Sequence, residues 1–91
     1  MDKSKILIIE DDKFFAELIA KKLTKLQAEV IHAESGEDGL KKVAEMMPNL
    51  VFLDILLPGI DGFEVLRKIR ADEKTRNIPV VILSKIGRAH V

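Results

Sequence analysis

Three groups of oxygen-bearing side chains fall where short apolar runs end. Glu10, Asp11 and Asp12 follow ILII, Asp54 follows LVFL, and Ser84 follows VVIL. Asp54 is the most informative. It interrupts a run that is apolar on both sides, LVFL before and ILL after, and a carboxylate in such surroundings needs a bonding partner or a metal to be tolerated. The alternative for Asp54 is a structural aspartate bonded to backbone amides; for Glu10 and Asp11 it is a solvated loop with helix-capping acids. Two carboxylates about 5 Å apart repel by on the order of 3 kcal/mol at an effective dielectric of about 20, so a gathered set calls for positive charge. Oxygen donors, with no cysteine in the chain and no histidine nearby in sequence, select a hard cation. A partly hydrated Mg2+ held by one or two carboxylates suits them better than a calcium cage, and no calcium-loop spacing occurs. With such an ion in place, Asp54 can act as a nucleophile on a phosphoryl group, and the Ser84 hydroxyl can hydrogen-bond one phosphoryl oxygen. The alternative for Ser84 is a strand-end turn.

These residues can meet only if the elements that carry them are aligned. Ile6–Ile9, Val30–Ala33, Leu50–Leu53 and Val80–Leu83 are short runs rich in β-branched residues and Leu, as expected of strands buried on both faces. Helix-period stripes lie between them. Phe15, Leu18, Ile19, Leu23 and Leu26 form the first, with Asp12 as N-cap; Leu40, Val43, Ala44 and Met47 form the second, with Ser35 as cap and Pro48 as stop. Phe63, Leu66 and Ile69 form the third, capped by Asp61 with Glu64 three residues on. Strand and helix alternate throughout, which predicts right-handed crossovers and a parallel sheet sandwiched by helices. In such a sheet ligands bind outside the carboxyl ends of the strands, so three separate strand ends present hard oxygens along one edge. His32 falls within a strand run and is expected to be packed or surface-exposed rather than a ligand.

Composition narrows the function classes. At 91 residues and 10.2 kDa the chain makes one small domain or a piece of one. Hydrophobic residues at 47% and charged residues at 33% suit a water-soluble globule. Fifteen Lys and Arg balance fifteen Asp and Glu, so no net basic field exists to hold nucleic acid or an anionic membrane directly. Without cysteine there is no disulfide framework, thiolate zinc site or cysteine nucleophile, and a reducing, cytoplasmic setting is expected. Neither a signal peptide nor a membrane span is read in the apolar runs. The loop after the first strand is EDDK rather than glycine-rich, and neither GxxxxGK[ST] nor GxGxxG occurs, so a nucleotide or flavin phosphate cradle is disfavoured. A metal-dependent phosphatase of the haloacid-dehalogenase type would want a second aspartate at the position of Leu56.

Taken together, KILIIEDD, LVFLDILLPGIDGFEVLRKIR and IPVVILS resemble the receiver domain of two-component response regulators over residues 5 to 84. The resemblance implies an α/β, flavodoxin-like (CheY-like) three-layer sandwich, here ending after its fourth strand in the order 2-1-3-4. It implies that Asp54 is the phosphoacceptor and that Glu10 and Asp11 are the acidic pair for Mg2+, Asp11 directly and Glu10 largely through water. Leu56 would add its backbone carbonyl to the metal. Ser84 would be the hydroxyl residue that turns toward the phosphoryl group. Pro58, Gly59, Asp61 and Gly62 would shape the turn into the third helix. The implied partner is a histidine kinase or phosphotransfer protein, and the implied role is that of a phosphoryl acceptor rather than a conventional turnover enzyme.

The sequence also departs from the family. A lysine and a switch aromatic are expected on a fifth strand, and the 91 residues hold no such strand. Lys85 directly follows the fourth strand and is no substitute. Residues 1–84 are therefore read as a partial receiver domain, and residues 85–91, KIGRAHV, as a non-native tail that carries His90 and continues no periodicity. Poor phosphorylation relative to a complete domain is expected. So is self-association through Val80–Leu83, an apolar edge with no following strand. A reading from another class is a phosphorylation-independent interaction module that uses only the surface of the fold.

Overall fold

A computed structural model describes residues 3–83, so the expectations for Ser84, Lys85, His90 and the 85–91 tail lie outside the described residues. The strands are β1 (Lys5–Ile9), β2 (Glu29–Ala33), β3 (Leu50–Asp54) and β4 (Val80–Leu83); the helices are α1 (Lys13–Thr24), α2 (Gly36–Met46) and α3 (Gly62–Ala71). All strand pairs are parallel, in the order β2-β1-β3-β4. Ile8 lies between His32 and Phe52, and Asp54 pairs with Leu83, so β1 and β3 are the inner strands. The acidic residues thus lie at the carboxyl ends of the two inner strands. Among the described residues, no helix is long and apolar enough to cross a membrane.

The caps form as their residue types dictate. Asp12, Ser35 and Asp61 accept from the backbone N–H groups of Phe15, Asp38 and Glu64, each satisfying a donor that the first helical turn leaves without an intrahelical acceptor. Met47 adopts left-handed geometry (φ 48°), donates its N–H to Val43, and Pro48 follows. Leu7, Ile9, Val51 and Leu53 pack with Val43, Val65 and Ile69 into one core between the sheet and the α2/α3 layer.

Several stripe residues point elsewhere than expected. Leu18 and Leu26 of the first stripe are exposed, Leu26 lies past the end of α1, and the residue α1 buries is Ala16. Ala44, Met47 and Phe63 are also exposed, while Val65 takes the inward place in α3. Burial on both faces holds for β1 but fails for β4, where Val81 and Ile82 are 42% and 39% exposed.

Candidate functional site

The inner strands deliver their acids to one point. Glu10 follows the last residue of β1 and Asp54 ends β3; both carboxylates are fully buried. Asp11 follows Glu10 and is exposed. One carboxylate oxygen from each of Glu10, Asp11 and Asp54 lies within 4.8 Å of the other two. At an effective dielectric of about 20, like charges at that separation repel by roughly 3 kcal/mol per pair. Three hard oxygen donors at the ends of two inner strands, with Asp11 facing solvent, fit a divalent cation of the Mg2+ type that keeps part of its water.

Local bonds fix each acid. The Asp12 N–H donates to Glu10 Oε2 at 2.9 Å, which folds the Glu10 carboxylate back over the turn into α1. The Leu56 N–H donates to Asp54 Oδ1 at 3.0 Å, setting the rotation of that carboxylate and placing the Leu56 peptide beside it. The Leu56 side chain points outward and is 58% exposed, so its apolar character does not crowd the acids. Behind this turn the Gly62 N–H donates to the Ile55 carbonyl at 2.8 Å. A Cβ at Gly62 would sit 2.4 Å from the Asp54 carbonyl oxygen and 2.5 Å from the Ile55 Cα, so only glycine lets α3 begin this close to the Asp54 loop. Gly59 supplies the positive φ of 73° that turns the chain toward Asp61.

The structure brings together Glu10, Asp11 and Asp54, the three side chains read from the sequence as a metal set, and bonds the Leu56 N–H to Asp54. His32 is packed rather than a ligand, as expected, but it also makes a contact that the sequence does not announce. No histidine is near the acids in sequence, yet the His32 Nε2 lies 2.6 Å from the Glu10 carbonyl oxygen. His32 is half-buried and meets the main chain of the acidic turn; the registration of Ile8 with His32 brings it there, and spacing along the chain gives no sign of it.

The response regulator receiver domain family matches residues 6–90. The transcriptional regulatory protein AfsQ1 of Streptomyces coelicolor is 46% identical over 79 residues, which are 87% of this chain and 34% of that protein. The N-terminal domain of a response regulator receiver protein from Methanoculleus marisnigri JR1 superposes with a TM-score of 0.84 at 35% identity, over 88% of this chain and 65% of that one. The receiver domain of a sensor histidine kinase from Pseudomonas aeruginosa PAO1, with a magnesium ion coordinated in its active site cleft, matches at TM-score 0.86 and 26% identity over 91% of this chain and 68% of that one. The chain spans about a third or less of the first curated relatives it matches.

Proposed function

This chain belongs to the response regulator receiver domain family of two-component systems, and from that premise we propose that it takes a phosphoryl group onto Asp54 from the phosphohistidine of a histidine kinase or phosphotransfer protein. The approach of Glu10, Asp11 and Asp54 to within 4.8 Å carries the reading. Glu10, Asp11, Asp54 and the Leu56 backbone carbonyl are the proposed Mg2+ ligands; the ion, when bound, supplies charge neutralisation for the phosphoryl oxygens. The magnesium in the cleft of the Pseudomonas receiver supports this choice of metal.

One oxygen of the Asp54 carboxylate attacks phosphorus, the phosphorus–nitrogen bond breaks, and the leaving imidazole keeps the bonding pair and takes a proton from water. The product is an acyl phosphate on Asp54. The Leu56 N–H holds the carboxylate orientation during attack, and burial of Asp54 means little bulk water has to be shed at that moment. Ser84 is proposed to hydrogen-bond a phosphoryl oxygen. The chain acts in the cytoplasm as an acceptor that assists its own phosphorylation and dephosphorylation, not as a turnover enzyme. Its balanced charge favours a protein partner over nucleic acid or a membrane surface, and the exposed Val81 and Ile82 of β4 favour self-association.

The test is incubation of the chain with a small phosphodonor, acetyl phosphate, and Mg2+, followed by intact mass measurement. Slow addition of one HPO3 group is expected, labile to hydroxylamine and lost on chelation or in Asp54→Asn. Equal labelling of Asp54→Asn would overturn the assignment.

A further inference from the structure

Glu10 is held to β2 at both of its main-chain polar groups. Its N–H donates to the Ala33 carbonyl at 3.0 Å, and its carbonyl oxygen lies 2.6 Å from the His32 Nε2. A carbonyl oxygen can only accept, so the His32 Nε2 carries the proton and donates. The second bond falls where the regular β1–β2 ladder has ended, and a side chain takes over from the backbone there. The Glu10 carbonyl opens the peptide that leads into Asp11.

His32 is itself braced from behind. Ala33 turns its carbonyl toward β1, so by strand alternation the carbonyl of His32 faces away, on the open side of the outer strand. Lys42 Nζ fills that place, donating to the His32 carbonyl at 3.1 Å and to Asp38 Oδ2 at 2.8 Å. A connected series of bonds thus runs from the first turn of α2, through Lys42 and His32, to the turn that carries two of the three acids.

We infer that His32 is a positioning residue of the metal site: by clamping the Glu10 carbonyl it fixes the Glu10–Asp11 peptide and, with it, the distance of those two carboxylates from Asp54. The inference rests on the proposed Mg2+ site and assigns that site a support outside its ligands. Partners of this kind, which orient ligands without touching the ion, commonly govern metal affinity by about tenfold or more. Gln at position 32 carries an amide N–H at about the reach of Nε2, whereas Ala carries no donor.

The experiment is an Mg2+ titration of the 91-residue chain followed by its amide NMR spectrum, which reports affinity for the folded molecules alone. For His32→Ala the Mg2+ Kd is expected to rise about tenfold, and for His32→Gln to stay within about twofold of wild type. An unchanged Kd in His32→Ala, or a Kd in His32→Gln as weak as in His32→Ala, overturns the positioning role. If His32→Ala does not fold, His32→Gln decides alone: a wild-type Kd supports the clamp and a weakened one overturns it. A wild-type chain that shows no Mg2+ response fails at the metal site itself, and the inference falls with it; a wild type that responds together with insensitive variants removes only His32.

Discussion

β3 and β4 lie side by side, paired residue for residue, and their sequences LVFLD and VVIL are about equally apolar up to the terminal aspartate. Val51 and Leu53 are nevertheless fully buried, whereas Val81 and Ile82 are about two-fifths exposed. The difference comes from neighbours. β3 has β1 on one side and β4 on the other, while β4 has only β3 among the described residues. Burial is set by a strand's place in the sheet, and the acids sit at the ends of the two inner strands. The candidate site thus rests on the two strands that have a neighbour on each side.

The largest effect expected from this comparison is on stability. Leu53→Ala should cost about 3 kcal/mol in chemical denaturation, because a cavity opens at a closed position. Ile82→Ala should cost less than about 1 kcal/mol, because its site is already partly solvated. Equal costs would break the comparison. Gly62→Ala ranks next, at about 2 kcal/mol, since its new methyl meets backbone that cannot give way cheaply. The amide resonances of Asp54 and Leu56 should shift with it; an unperturbed Asp54 loop would mean that α3 does not anchor the acid. Val81→Lys sharpens the contrast from the other side. It should leave stability within about 0.5 kcal/mol and lower any self-association in sedimentation velocity, because a charge on a strand paired on one side among the described residues disfavours further strand pairing.

The smallest effect lies at an exposed ion pair on α3. Arg67 hydrogen-bonds Glu64 and holds its carboxyl below the ordinary value. A lowered carboxyl pKa stabilises the fold above the ordinary carboxyl range and loses that contribution as pH falls through the lowered value. In Arg67→Gln the Glu64 pKa, followed by carboxyl NMR, should rise toward 4.5. Stability near neutral pH should not change measurably, because the pair is screened by water.

Much of this arrangement is legible in the sequence. The four apolar runs mark the strands, Asp12, Ser35 and Asp61 cap the helices as expected, and the acids at strand ends meet on one sheet edge. Helix facing is less legible. Residues three apart drift about 60° round a helix at each step, so Phe63 lies about 120° from Ile69, while Val65, four before it, lies about 40° away. Val65 is therefore buried and Phe63 is not. The His32 clamp is illegible for another reason. It depends on the register between β1 and β2, and both strands are apolar enough to leave that register undetermined by pattern alone.

The most direct test of the central claim is an amide NMR spectrum of this chain with and without millimolar Mg2+. The account predicts that the shifted resonances are those of Glu10, Asp11, Asp54 and Leu56, at the ends of the inner strands, while Val80 to Ile82 in β4 stay in place. Shifts centred on β4, or a spectrum indifferent to Mg2+, would contradict it.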